Sequence, residues 1–232
     1  MAEIEIRLYT EKDRERVRFV VFETGYMGDP VGWLWRDRES FADLFTRYYT
    51  DREPESLFVA ESEGDVVGYL TGCVDSSRVL GTAMRESLRI IGRGALFRPG
   101  LAGFFWRSIF DIVRDHGTSE DVLTDVRWPA HLHIDLLPEA RGKGVGRRLI
   151  SRWLARLREL GSRGVHLGTF AENRNAIRFF EACGFERYGD PLAAPGFRTR
   201  GGRRMHTQWM VRSLVDSPDE HGAAVDAEAR SS

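Results

Sequence analysis

Lysine is nearly absent from this chain: only Lys12 and Lys143 stand among the 34 Lys and Arg residues of a 232-residue sequence. A bias of that size acts on the whole sequence at once, so a single arginine carries little information about a site. A net charge of one sign is missing too, because 35 acids balance the bases to a formal −1. Without a long-range positive field, a nucleic-acid partner is not expected. Cysteine is limited to Cys73 and Cys183. Two are too few for a disulfide framework and match no paired metal or redox spacing, so both read as buried free thiols. Long apolar runs are also lacking. The nearest, Leu101 to Val113, is broken by Arg107 and Asp111 and falls short of the ~20 residues that a spanning helix needs. The segment Met1 to Thr10 alternates apolar and charged residues instead of forming a leader core. The expectation is a cytoplasmic protein with no membrane partner.

What is present suits a folded body, with 42% hydrophobic and 30% charged residues, enough to close a core. Ile4, Ile6 and Leu8 alternate with charges as in a strand, and Thr10 with Asp13 three residues on starts a helix toward Tyr26. Glycines and Pro30 make Gly25 to Trp35 a loop carrying Tyr26, Trp33 and Trp35. A helix over about Arg38 to Tyr49 precedes a hairpin, Leu57 to Glu61 and Val66 to Val74, turning at Ser62 to Asp65. Residues 75–128 interrupt the alternation with two helical stretches, Val79 to Arg93 and Leu101 to Asp115, which read as an insertion. His131 to Leu137 is again a strand. It feeds a helix whose apolar stripe runs Val145, Leu149, Ile150, Trp153, Leu154, Leu157. Val165 to Phe170, the helix Asn173 to Cys183, and strands at Phe185 to Tyr188 and Met205 to Val211 complete the set. The pattern is α/β (α+β), one domain over 1–212 with a disordered tail over 213–232.

The strongest chemical signal is Arg141-Gly142-Lys143-Gly144-Val145-Gly146, set between a strand with Pro138 and an amphipathic helix. Three glycines let backbone N–H groups approach a ligand, and the helix start adds unpaired donors with about half a positive charge. A pyrophosphate fits that description. The full Walker spacing is missing, no Ser or Thr follows Lys143, and Gly146 comes one residue early for a dinucleotide fingerprint. A nucleotide or other anion on this loop is the weaker reading.

Strand, Pro138, R-G-K-G-V-G, helix, strand and the Asn173 helix together resemble the GCN5-related N-acetyltransferase (GNAT) superfamily over most of 1–212. Val165 to Thr169 followed by Glu172 to Phe185 is similar to that superfamily's later motif of asparagine, alanine, aromatic and closing Gly-Phe. More narrowly, Leu57 to Ala60, Val67 to Tyr69, Thr71-Gly72, Gly161 to Gly164 and the insertion's place resemble the acetyltransferase-like domain of eukaryotic O-GlcNAcase and its bacterial relatives. The resemblance implies a mixed, mostly antiparallel twisted sheet flanked by helices. It implies acetyl-CoA as cofactor, its pyrophosphate on the backbone from Arg141 and Gly142 through Lys143, Gly144, Val145 and Gly146 to Arg147. Pantetheine would lie along Ile134, Asp135 and Leu136, near Asn173 and Phe180. Asn175 is an alternative to Asn173, and capping a helix is an equal alternative for either.

Acetyl transfer to an amine needs an uncharged nucleophile, a polarised carbonyl and a proton for the leaving thiolate. A backbone N–H near Leu136 or Leu137 could polarise the carbonyl. His131, His133 and Asp135 alternate on one strand face, with Asp135 nearest the expected thioester as base and the histidines as an outward relay. The same His-Leu-His string serves the base in the serotonin acetyltransferase, but here it lies one residue closer to the glycine loop. A buried polar stripe is the bland alternative. His-x-His plus Asp also suits zinc, though no further ligand pattern accompanies it and no metal is expected. Where the superfamily often has its base this chain has Gly168, and where it has its acid tyrosine this chain has Phe180. Tyr188, Tyr69 or water remain, and no acid is assigned. Trp33 and Trp35 could stack on an acceptor, or staple helices. The insertion's Phe104, Phe105, Trp106, Ile109 and Phe110 should pack on the body or across a homodimer interface. The function expected is transfer of acetyl from the thioester to a primary amine of a small molecule or peptide, and the alternative is a catalytically silent acetyl-CoA-binding or interaction domain.

Overall fold

Seven strands form one sheet in the computed structural model, which describes residues 3–94, 97, 101–115 and 123–215. They are β1 (Glu5–Leu8), β2 (Leu57–Ser62), β3 (Asp65–Cys73), β4 (Ala130–Leu136), β5 (Gly164–Phe170), β6 (Glu186–Arg198) and β7 (Arg204–Ser213). Their order is β1-β2-β3-β4-β5-β7-β6, antiparallel everywhere except between β4 and β5. The helices are α1 (Arg14–Thr24), α2 (Arg38–Arg52), α3 (Ser77–Gly92), α4 (Ala102–Arg114), α5 (Val145–Glu159) and α6 (Arg174–Glu181).

Local chemistry explains most of these bounds. Asp13 accepts from the Thr10 amide at 2.8 Å, the return half of a capping box, and from the Thr10 hydroxyl at 3.0 Å. The β2–β3 hairpin turns on Glu63 and Gly64, both at positive φ, which matches the right-handed twist of its strands. Helix α2 runs past the expected Tyr49 to Arg52 and stops before Pro54. The larger departure is β6, thirteen residues long where a short strand ending at Tyr188 was expected. Pro191 and Pro195 mask it in the sequence. At the sheet edge a proline costs no ladder bond, and the pairing with β7 shifts register around both.

The sheet divides two cores. On one face α5 and α6 bury Leu149, Ile150, Trp153, Leu157 and Ile177 against Leu70, Leu132, Val165 and Leu167. On the other, α1, α2 and the insertion cover Tyr69, Cys73, Tyr49, Trp35 and Phe104. Helix α4 is fastened to β6 by Asp111, which is 1% exposed and accepts from the Arg198 guanidinium at 2.7 and 2.8 Å and the Gly196 amide at 2.9 Å. The inserted helices expected from the sequence therefore belong to the body. Ser213, placed at the head of the tail, instead closes β7, and Leu214 donates to Arg163. The rest of that expected tail, from 216 on, lies outside the described residues.

Candidate active site

The parallel strands β4 and β5 pair only at Ala130 with Val165 and His131 with His166. Beyond those pairs they part, so His133 to Leu136 form one wall of an opening. Its other β4 edge stays tied to β3, with Asp135 opposite Tyr69 and His133 opposite Thr71. The Leu137 amide, one of two expected carbonyl donors, is taken by Val67 O at 2.9 Å. Neighbouring strand amides point in opposite directions, so the Leu136 N–H faces the β5 side, and its carbonyl receives Arg141 Nε at 2.9 Å.

At the end of this opening stands the glycine loop. Gly142 and Gly144 adopt φ of 71° and 74°, the left-handed region that a side chain rarely tolerates, and an added Cβ at either would meet nothing within 4 Å. Gly146 is needed for another reason: its Cβ would stand 2.9 Å from Phe179 Cζ. The first turn of α5 begins at Val145, so its leading N–H groups have no partner within the helix. A groove of about 550 Å³ adjoins the loop, lined by Ile6, Gly144, Arg147, Arg148, Ser151 and Arg152. Bare amides at a helix start beside cationic walls fit a diphosphate group. Arg141 is turned elsewhere, binding Gly28 O at 2.5 Å as well as Leu136 O, and so it ties the 25–35 loop to the end of β4.

The three polar residues of β4 share a face, as their alternation requires, while Leu132, Ile134 and Leu136 pack with α5. Their environments differ. Asp135 is half-buried and accepts from the Tyr69 hydroxyl at 2.6 Å. Burial pushes its carboxyl above the usual range, while the Tyr69 and Thr24 hydroxyls and the charge of Arg141 pull it back. His133 is open to solvent yet walled by protein, which, with the nearby His166, brings its imidazole down to about 4. His131 is buried in a closed network: Nδ1 meets Ser76 Oγ at 2.8 Å and Nε2 meets Tyr49 Oη at 2.6 Å. Ser76 spends its only proton on Pro129 O at 2.8 Å. It must therefore accept from Nδ1–H, so Nε2 accepts from Tyr49 and the ring is neutral. Burial holds its pKa well below the ordinary histidine value.

The expected relay is thus incomplete. The rings of His131 and His133 lie 5.7 Å apart, but among the described residues no hydrogen bond joins Asp135 to His133 or His133 to His131. Sequence reading missed Tyr49, Ser76 and His166 and named Tyr69 only as a possible proton donor to the thiolate, because nothing in their local patterns announces the cross-strand register that gathers them. Two aromatics expected at the site are largely enclosed. Trp35 is 2% exposed, packed among Phe41, Phe104 and Phe105 with its indole N–H on Ser40 Oγ at 2.9 Å, which leaves no face for an acceptor. Phe180 is 6% exposed between Phe179 and Phe185, a core ring. Trp33 stays accessible, edge-on to Tyr26 with the Arg200 guanidinium over both rings. Asn173 caps α6 by accepting from the Ala176 amide at 3.1 Å, while Asn175 accepts from Arg178 at 2.7 Å. At Gly168 an added Cβ would stand 3.0 Å from the Trp209 ring, so a side chain there requires that ring to shift by a few tenths of an ångström. Tyr188 accepts from Arg127 at 3.1 Å. Among the described residues no three His, Cys, Asp or Glu side chains converge as metal ligands would.

Comparison with known proteins agrees with this geometry. A crystal structure described as SsHAT shares the fold at a TM-score of 0.67 and 27% identity, covering 92% of this chain and all of that one. A phosphinothricin acetyltransferase from Sinorhizobium meliloti, solved with acetyl-CoA, gives a TM-score of 0.57 at 23% identity over 93% of this chain and 90% of its own. A mycothiol acetyltransferase of Cellulomonas flavigena is 38% identical over 93 residues, which are 38% of this chain and only 24% of that relative's length. The family model described as the Acetyltransferase (GNAT) family matches residues 27–185. An open sheet split beside a glycine-rich helix start, together with that match, places this chain in the GNAT family of acetyltransferases, whose acetyl donor is acetyl-CoA.

Proposed function

We propose that this chain, as a single domain over residues 1–212 in the cytoplasm, transfers acetyl directly to a primary amine of a small-molecule or peptide acceptor, with Asp135 as the base. The observation that carries this reading is the place of Asp135: an acid held by Tyr69 on the wall of the gap between β4 and β5. Acetyl-CoA supplies an acyl thioester. The residues to hold it are the amides from Gly142 to Arg147, the β4 edge from Ile134 to Leu136, and the carboxamide nitrogen of Asn173, which its capping bond leaves unused. Asp135 takes a proton from the attacking nitrogen as the new C–N bond forms and the C–S bond breaks. The Leu136 N–H, facing the opening, stabilises charge that develops on the carbonyl oxygen. His133 sits two residues along the same face and offers a neutral imidazole at the mouth. Trp33 is the acceptor-side aromatic in this reading, and Trp35 is withdrawn from it.

The finer resemblance to the acetyltransferase-like domain of O-GlcNAcase is part of the same proposal and rests on the β2, β3 and Gly161 to Gly164 motifs. The rival, a silent acetyl-CoA-binding module, is favoured by Gly168 packed under Trp209 and by Phe180 in the core. Release of coenzyme A thiol against amines, amino sugars, peptides and thiol-precursor amines separates the two. Transfer is expected with at least one class, and Asp135→Asn should lower turnover while calorimetry finds acetyl-CoA affinity unchanged. Cofactor binding without release across the whole panel supports the silent module.

A further inference from the structure

The two inserted helices carry an outward face that the acetyl-transfer site does not use. On α3, Met84, Leu88 and Ile91 are 63%, 60% and 36% exposed; on α4, Ile109, Phe110 and Val113 are 41%, 64% and 71% exposed. The spacings i, i+4, i+7 and i, i+1, i+4 set each trio on one side of its helix. Both helices bury the opposite side in one shared core, through Ile90 on α3 and Phe104 on α4. The stripes therefore point away from the body by construction. Between the helices Phe97 is 84% exposed. Summed over the two helices and Phe97, these side chains expose on the order of 700 Å² of apolar surface.

Charge selects the occupant. Each helix holds a single acid: Glu86 pairs with Arg47 at 3.4 Å and with Arg89 at 3.6 Å, and Asp111 turns inward to Arg198 at 2.7 Å. The exposed charged side chains that border the stripes are cations, namely Arg85 and Arg89 on α3, Arg93 just past its end, and Arg114 at the end of α4. Arg85 and Arg89 directly follow Met84 and Leu88, about 100° around the helix, where long stems can lie along an apolar layer while the guanidinium heads reach its polar boundary. In a chain of net charge −1 this is a local excess of one sign. A second copy docked by a two-fold axis would set these arginines against their own equivalents, and among the described residues the one acid beside them, Glu86, is already shared between Arg47 and Arg89. We propose that the α3–α4 face docks peripherally on an anionic lipid bilayer, the apolar stripes entering the headgroup boundary and the arginines meeting lipid phosphates. No described helix is long and apolar enough to cross a membrane, so the contact is a surface one. It revises the expectation of no membrane partner, which rested on the lack of a span.

The test is co-sedimentation of the full chain with vesicles of pure phosphatidylcholine and of phosphatidylcholine with phosphatidylglycerol. Partition onto the anionic vesicles should exceed that onto neutral ones by roughly 10-fold or more at low salt and fall as salt is raised. Leu88→Glu and, separately, Phe110→Glu should abolish it. Both positions are exposed, so thermal unfolding and acetyl-CoA titration should match the parent chain, and Arg89→Glu provides a variant that leaves the apolar stripes intact. Equal partition onto both vesicle types, or none, overturns the proposal. So does a stable dimer by light scattering that Phe110→Glu dissociates while vesicles go unbound. None of these outcomes depends on whether the chain transfers acetyl groups.

Discussion

Tyr69→Phe deletes one oxygen from a side chain that is 1% exposed, so the packing of the ring is kept and one 2.6 Å bond to Asp135 is lost. A hydrogen bond to a charged group contributes about 1.5–3 kcal/mol. Tyr69 is the donor in this bond, so that energy favours the ionised carboxylate over the protonated one. Burial already pushes the Asp135 pKa upward, and removing the donor pushes it further the same way. A base works only when ionised, so kcat/KM falls as pH drops through the pKa of Asp135, and in the variant the fall begins at higher pH. On that acidic limb the variant should be slower by roughly 10-fold or more, since each 1.36 kcal/mol is one decade. On the alkaline plateau it should match the parent enzyme. The assay is thiol release across the pH range, with one acceptor for both proteins so that the amine's own titration cancels. Superimposed acidic limbs would refute the role given to the Tyr69–Asp135 pair. A uniform loss at every pH would assign Tyr69 to packing alone.

Two further outcomes follow from the buried groups. Burial holds His131 and His166 below the ordinary histidine range. Each binds its proton more weakly folded than unfolded, so the stability they confer is complete above the unfolded value of about 6.5 and is lost as pH falls below it, by up to about 1.4 kcal/mol per pH unit for each buried ring. Urea denaturation at about pH 7 and pH 5 should show that drop, and equal stabilities would refute it. Asp111→Ala leaves the Arg198 guanidinium without its bidentate partner and should cost about 3 kcal/mol of unfolding free energy, measured by denaturation. An unchanged midpoint would show that α4 is held to β6 by packing alone.

The alternation of His131, His133 and Asp135 by itself places them on one face, because a strand side chain has only two directions to point. The R-G-K-G-V-G loop was equally legible: three glycines before an amphipathic helix leave few other uses for the backbone. Trp35 and Phe180, both enclosed by neighbours, show what a sequence leaves open. Aromatic residues serve cores and ligand sites with the same chemistry, and only the neighbours that close over them tell the two apart. Strand β6 hid behind prolines that are excluded from a sheet interior but tolerated at its edge, and edge position is a property of the assembled sheet.

The amino-acid order by itself determined the alternation of elements, the glycine-rich helix start and the facing of the β4 side chains. All of these follow from backbone periodicity and the stereochemistry of single residues. Tertiary structure decided what Asp135 and the histidines can do: β3 brings Tyr69 across to the acid, α2 and the segment before α3 enclose His131 between Tyr49 and Ser76, and the parting of β4 from β5 opens the wall beside them. Protonation depends on which groups lie within a few ångströms, and those groups come from residues as many as 82 positions apart in the chain, a separation that no local pattern records.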